Sequence, residues 1–233
     1  MTDDTSPRHL QQNPYPRAFW ELHDKKGTAG LAEYAEWHNA AMVHWALLIN
    51  EAELMRLIDF SDEAGQRHAI ALISELSGGA VENLDFWGFL FARLTNYVAM
   101  NNALIDHVRN LLHDYEGTAF RAEADTRRQA LGKAPAMSFI KEFRNYLLHY
   151  RVAPMTVNLN MSDGVGVDFE ARLNAPVLSN WDGWCAESKL YFTGRKDLSI
   201  LATLRECHSL REEFYDWLWE QFAGPATIDT WKS

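Results

Sequence analysis

The chain has 233 residues, of which 47% are hydrophobic and 23% are charged, so it is long enough to bury one sizeable core. Its formal net charge of -10 excludes nucleic-acid binding by bulk electrostatics, so DNA is not expected as a partner and any contact with RNA has to be local. Cys185 and Cys207 are too few for a disulfide framework and lack neighbours at zinc-ligand spacing, which favours a reducing cytoplasm.

The first residues predict neither a secretion signal nor a regular helix. They are acidic, whereas a leader has a basic patch followed by an apolar segment. Pro7, Pro14 and Pro16 remove backbone donors and block regular helix, so we predict a flexible arm over residues 1–27. No stretch of the sequence has the roughly 20 apolar residues that cross a bilayer, and no membrane partner is expected.

Two helices are predicted to follow this arm. Thr28 is a suitable N-cap, and apolar residues recur at helical spacing from there to about residue 60. The face predicted to be buried consists of Leu31, Tyr34, Ala35, His38, Ala41, Met42, Trp45, Leu48, Ile49 and Ala52. An acidic start at Ser61 and an end at Gly78 delimit a second, shorter helix, so the pair resembles a helical hairpin.

Three further helices are predicted before the first strands. Apolar residues recur at helical spacing over 84–112, and residues 114–134 carry charges of both signs, which is typical of a solvated helical connector. The third helix covers 136–150, because Pro135 suits a first helical turn and Pro154 disfavours continuation. Long antiparallel helices of this kind pack as a bundle.

The last third of the chain changes character. Residues 155–173 alternate between apolar and polar side chains around a turn at 162–164, which predicts a β-hairpin. A short helix ending near Tyr191 and a final helix near 197–223 are predicted after it. The expected fold class is therefore mainly all-α, a helical bundle with a small β-hairpin insertion, and residues 28–233 are expected to form a single domain.

The familiar motifs of metal and nucleotide chemistry are absent. The sequence has no His-Glu-x-x-His or Glu-x-x-His pair, no phosphate-binding glycine loop and no Gly-x-Ser-x-Gly turn. Cys207 and His208 are adjacent, and neighbouring side chains on a helix diverge by about 100°, so Cys207 is expected in the core. No metal site and no cofactor are predicted.

The helix before the hairpin carries one chemically suggestive segment. Arg144, Asn145 and His149 project over an arc of about 140° on an ideal helix, so they can line one groove. A guanidinium binds a phosphate and stabilises the extra charge of pentacovalent phosphorus, and an imidazole exchanges protons near neutral pH. Asn145 can hold the imidazole or a phosphate oxygen, and Lys141 and Arg151 add positive charge for an RNA backbone.

The string Arg144-Asn145-Tyr146-Leu147-Leu148-His149 resembles the motif of the HEPN domains. These helical proteins carry an Arg, a following polar residue, and a His after four to six intervening residues. Many are metal-independent endoribonucleases of toxin–antitoxin, phage-defence or RNA-processing systems, and they often work as dimers whose two motifs share a cleft. The resemblance implies an HEPN-like domain with Arg144 as phosphate and transition-state ligand, His149 as general acid or base, RNA as substrate, a homodimer and a possible cognate antitoxin.

Two departures and two alternatives accompany this resemblance. Members paired with nucleotidyltransferases carry a Tyr two residues after the His, where this chain has Arg151. A second string, Arg109-Asn110-Leu111-Leu112-His113, has only three intervening residues and is expected on a helix surface. One alternative function is a non-catalytic HEPN-like interaction module. In the other, Arg144 pairs with a carboxylate of another helix and His149 is stabilised by the helix dipole.

Overall fold

The computed structural model describes the backbone of residues 15–60, 83–162 and 166–223, and the side chains of 35–60, 86–156 and 170–221. The helices are α1 (Tyr15–Ile58), α2 (Asn83–His113), α3 (Ala119–Lys133), α4 (Pro135–His149), α5 (Ala175–Leu178), α6 (Ala186–Phe192) and α7 (Ile200–Ala223). The strands β1 (Met155–Ser162), β2 (Gly166–Asn174) and β3 (Asp197–Ser199) form one antiparallel sheet in that order. The predicted mainly helical fold class is confirmed.

The first helix begins at Tyr15, well before the predicted start at Thr28. Pro16 lies in its first turn, where a proline costs no hydrogen bond because the first N–H groups of a helix have no intrahelical partner. The prediction of a flexible arm over 1–27 is therefore wrong from Tyr15 onward. The rest of that arm and the helix predicted over 61–79 lie outside the described residues.

The buried face of α1 has the three-and-four spacing of a packed helical bundle. It consists of Trp37, Ala40, His44, Leu47, Glu51, Leu54 and Ile58. Met42 and Trp45, which were predicted to be buried, are exposed, so the predicted face is displaced by about one residue. The reason is that two positions of the true face, His44 and Glu51, are polar and find their partners on another helix.

The helices α2 and α7 bury faces with the same spacing. On α2 these residues are Leu90, Leu94, Tyr97, Asn101, Leu104, Val108 and Leu111. On α7 they are Ile200, Leu204, Cys207, Arg211, Phe214 and Leu218. Helix α1 packs against both, so the three long helices share one core. The helix predicted over 84–112 and the core position of Cys207 are confirmed.

Helix α4 lies among α2, α3, α6 and α7 and buries the face that contains Phe139, Phe143 and Tyr146. Pro135 occupies its first turn, as predicted. The predicted solvated connector is α3, a surface helix whose one buried residue is Ala124. Among the described helices, none combines the length and the apolar character that a membrane span requires.

The predicted β-hairpin is confirmed as strands β1 and β2, and the turn between them lies outside the described residues. The sequence does not predict the third strand, in which Leu198 of β3 lies opposite Leu173 of β2. The final helix, predicted near 197–223, therefore begins at Ile200.

Candidate functional site

One face of α4 points away from the core and carries the residues singled out in the sequence. Lys141, Arg144, Asn145 and His149 recur at spacings of three and four, so they lie together opposite the buried face. Lys141, Asn145 and His149 are exposed and Arg144 is partly buried. We call these four residues the α4 strip.

Neither Arg144 nor His149 is paired with a carboxylate in the described part of the chain. Arg144 Nη1 donates a hydrogen bond of 3.3 Å to the adjacent Asn145 Oδ1. Neither Arg144 nor His149, the last residue of α4, forms an ion pair with any described carboxylate. The structural alternative, an ion pair between Arg144 and another helix, is therefore not found among the described residues.

The charged side chains of the α4 strip are positive. Glu142 is the one acidic residue of α4, and its Oε2 accepts a hydrogen bond of 2.8 Å from the backbone N–H of Cys185, which precedes α6. The Glu142 carboxylate therefore faces the segment before α6. Lys141, Arg144 and the exposed Arg151 are left to set the local charge in a chain of net charge -10.

Polar contacts fix α4 relative to its neighbours. The Asn102 side-chain amide of α2 donates to the Lys141 carbonyl at 3.4 Å, at the point where the two helices meet. Ser138 Oγ lies 3.0 Å from Ser188 Oγ and joins α4 to α6. The α4 strip is thus presented by a helix that is held on both sides.

Apolar side chains are exposed where α4 ends. Leu148 is 46% exposed, Tyr150 44% and Val152 63%. Each of them leaves apolar surface in water, which contact with another molecule would remove. These three lie within four residues of His149 in sequence.

The second Arg–His string has a different environment. Arg109 Nη2 lies 3.1 Å from Asp106 Oδ1, and His113 Nε2 lies 3.9 Å from Glu116 Oε1. Both residues are exposed and both pairs join positions three apart. The predicted location of this string on a helix surface is confirmed.

The sequence did not predict a buried network of charged residues between α1 and α7. Arg211 is 1% exposed and Glu51 2% exposed. Arg211 Nη2 donates to Glu51 Oε2 at 2.6 Å, and Arg211 Nη1 lies 3.4 Å from the Tyr97 hydroxyl of α2. His208 Nδ1 also lies 2.7 Å from Glu51 Oε2. The sequence did contain a signal for this network: Glu51 and Arg211 are charged residues at positions that face the core on α1 and α7.

The network continues through Glu212, which accepts a hydrogen bond of 3.0 Å from Arg211 Nε. Trp219 Nε1 donates to His44 Nδ1 at 3.0 Å, so the proton of His44 lies on Nε2, which donates to Glu212 Oε1 at 3.1 Å. Burial alone would raise the pKa of Glu212, but the hydrogen bond from His44 and the charge of Arg211 outweigh burial and lower this pKa to about 2.

These buried groups are engaged mainly with one another, and we infer that their role is structural. Cys207, next to His208, is buried in the core, and burial raises the pKa of its thiol, so it is not an activated nucleophile. In the described part of the chain, no three His, Cys, Asp or Glu side chains are placed to hold a metal ion. The α4 strip is the stronger candidate site.

Comparison with protein families, with curated proteins and with solved structures found no match for this chain. The functional inference therefore rests on the geometry of the α4 strip, on its charge and on the resemblance of its sequence to the HEPN motif.

Proposed function

We propose that the protein is an HEPN-like, metal-independent endoribonuclease whose site is the α4 strip, with Arg151 beside it. The observation that carries this proposal is that Arg144 and His149 share one solvent-facing side of a helix, and no described carboxylate engages either of them. A guanidinium and an imidazole that are both open to a ligand supply the two functions that cleavage of RNA by its own 2′-hydroxyl requires.

The chemistry follows from these two groups. An imidazole removes the proton of the 2′-hydroxyl, O2′ forms a bond to phosphorus, and the bond from phosphorus to O5′ breaks as O5′ takes up a proton. Arg144 binds the phosphate and stabilises the additional negative charge of the pentacovalent transition state. Asn145 accepts a hydrogen bond from Arg144 and so orients the guanidinium. The products are a 2′,3′-cyclic phosphate and a 5′-hydroxyl.

Lys141 and Arg151 complete the proposed site as contacts for the RNA backbone. Both are exposed, and Lys141 lies one helical turn from Arg144. Phosphate contacts of this kind hold RNA in place without reading its sequence. The local positive charge is what allows an acidic protein to bind a polyanion.

We further propose that two copies of the chain pair through the exposed end of α4. The reaction needs one group to remove a proton and another to donate one, and a second copy brings a second His149. Leu148 and Val152 supply exposed apolar surface for the contact. We expect a dimer in sedimentation velocity and a monomer for Leu148→Asp. A wild-type monomer that still cleaves RNA contradicts this part of the proposal.

The decisive experiment is cleavage of total RNA and of tRNA in EDTA by the purified protein. We expect metal-independent cutting with 2′,3′-cyclic phosphate ends, and a loss of at least about 10²-fold in Arg144→Ala and in His149→Ala. Arg109→Ala and His113→Ala are matched controls, because they remove the same residue types from the other Arg–His string on the surface of α2.

Two outcomes contradict the ribonuclease proposal. One is the absence of cleavage by a folded, dimeric wild-type protein, and the other is equal loss in the α2 control variants. Either outcome favours the second candidate, a non-catalytic HEPN-like interaction module, which is supported by the exposed Leu148, Tyr150 and Val152 and by the net charge of -10. A cytoplasmic role in a toxin–antitoxin or phage-defence system, with a cognate inhibitor, suits the catalytic form.

A further inference from the structure

Aromatic rings are clustered directly beside the end of the α4 strip. The Tyr150 ring lies 5.3 Å from that of Tyr146 and 6.1 Å from that of Trp181, measured between ring centroids. Trp181 in turn meets Trp184 edge to face at 4.8 Å. Tyr146 and Trp184 are buried in the core, Trp181 is partly buried, and Tyr150 is exposed. The cluster therefore runs from the core to the surface at Tyr150, which follows His149 in the sequence.

The Trp181 ring is held in its position by the backbone. A Cβ atom placed on Gly183 would lie 2.2 Å from Trp181 Cζ2 and 2.5 Å from Cε2, which is far inside van der Waals contact. Only glycine permits this close approach. Trp181 also meets Tyr146 edge to face at 5.7 Å, so the buried ring supports it from below.

One cation lies against the exposed ring of this cluster. The guanidinium carbon of Arg151 lies 5.5 Å from the centre of the Tyr150 ring. His149 precedes Tyr150 directly, and Arg144 lies on the same side of the helix as His149. Proteins bind single-stranded nucleic acids with surfaces that combine cations and aromatic rings. The phosphates contact the cations, and the bases stack on the rings.

We propose that Tyr150 and Trp181 form a stacking site for an unpaired RNA base next to the phosphate held by Arg144. The identity of this ligand rests on the proposed ribonuclease function. The exposed ring of Tyr150 receives the base, and Trp181 keeps that ring in place. A paired base has both of its faces covered by its neighbours in the duplex, so the site selects single strands and loops over helical RNA.

If Tyr150 served only to pack against its neighbours, its replacement would have a different effect from the loss of a stacking site. A tyrosine that is 44% exposed adds little to the core, so its replacement by another apolar residue changes the stability of the fold only slightly. A stacking site loses ligand affinity when the ring is lost and keeps it when only the hydroxyl is lost. Tyr150→Leu and Tyr150→Phe separate these two roles.

The test is binding of a fluorescein-labelled RNA of about 12 nucleotides, either unpaired or in a duplex, to the full-length chain. The probe carries 2′-O-methyl groups, which prevent attack by the 2′-oxygen and keep it intact. We expect the unpaired probe to bind about fivefold more tightly than the duplex, and Tyr150→Leu to weaken that binding at least about fivefold. Tyr150→Phe should bind as the wild type does, and so should the control Phe89→Leu, which removes an exposed ring from α2.

Gly183→Ala provides an independent variant, because its methyl group displaces Trp181 and so removes the support of the Tyr150 ring while Tyr150 itself is retained. We expect it to weaken binding of the unpaired probe while leaving the far-ultraviolet helical signal in circular dichroism unchanged. Equal affinity of wild type and Tyr150→Leu, equal affinity for the two forms of RNA, or no binding at all overturns the stacking site.

Cleavage of unmodified RNA separates this inference from the proposed function. Binding through Tyr150 without any cleavage supports the stacking site and overturns the ribonuclease. Cleavage with an unchanged KM in Tyr150→Leu supports the ribonuclease and overturns the stacking site.

Discussion

Arg211 and Glu51 carry opposite charges in the core, and each depends on the other. Removing one partner of a buried ion pair leaves an uncompensated charge, which costs about 3–5 kcal/mol. We expect Arg211→Ala and Glu51→Ala each to lower the free energy of unfolding by this amount in urea titrations. Arg205→Ala, which breaks a partly exposed pair with Asp59, should cost less than about 1 kcal/mol. Equal losses for the buried and the exposed pair contradict the argument.

His208 makes the same network sensitive to pH. Its hydrogen bond to Glu51 raises the pKa of His208 above the usual value of about 6.5, although burial opposes this. A raised folded-state pKa means that the stabilisation is fully present below about pH 6.5 and is lost as the pH rises through the folded-state value. The charged groups that face His208 are Glu51, Glu212 and Arg211, and the proton of His208 brings their total charge to zero.

Unfolding measured between about pH 6 and pH 9 checks this expectation. The wild-type protein should lose stability across that range, and His208→Gln should show a flatter dependence because the titrating group is gone. A profile for His208→Gln that parallels the wild type assigns the pH dependence to another group. Glu212 is not that group. Its pKa is lowered to about 2, so its contribution to the free energy of unfolding is lost only at acidic pH.

At the scale of elements, the position of α4 depends on its link to the segment before α6. Glu142 Oε2 accepts the Cys185 N–H, and Glu142→Ala leaves that donor without its partner. We expect Glu142→Ala to lower the free energy of unfolding by about 1–3 kcal/mol and Glu142→Gln by less, because the amide oxygen still accepts. Thermal unfolding of the two variants measures the difference. An equal loss in both shows that the hydrogen bond contributes little.

The helices could be predicted from the sequence because their spacing of apolar residues is a local property. The start of α1 was misplaced because Pro16 was interpreted as a helix breaker, whereas in a first turn it is compatible with helix. Strand β3 has three residues and is defined by its pairing with β2, a contact that no local pattern reveals. The buried face of α1 was shifted because hydrophobicity could not place Glu51 inside.

Part of the candidate site could also be predicted, because the relative positions of residues on one helix are a local property. Arg144, Asn145 and His149 lie within one and a half turns of a single helix, so their common face follows from helical geometry. The exposed Tyr150 and its contact with Trp181 depend on how a distant loop folds back onto α4. Sequence alone also could not tell which of the two Arg–His strings has carboxylate partners.

At the scale of the whole molecule, the proposed RNA site predicts a shallow salt dependence of binding, because the site is small and the rest of the protein is acidic. Contacts from Lys141, Arg144 and Arg151 to three phosphates predict a slope of about -2 in log K against log salt for single strands. Lys141→Ala should reduce its magnitude by about 0.7. Arg127→Ala, whose charge is paired with Glu123, should leave it unchanged. A much steeper wild-type slope means that RNA contacts a larger surface.

The hydrogen bond between Glu51 and Arg211 joins residues 160 positions apart, and this separation has a consequence for synthesis. At about 5–20 residues per second, Glu51 is incorporated roughly 8–32 s before Arg211. Helix α4 is complete during that interval, while the carboxylate meant for the core still lacks its counter-ion. The nascent chain therefore cannot close its core before α7 emerges, and the α4 strip gains a rigid support only after most of the chain has been translated.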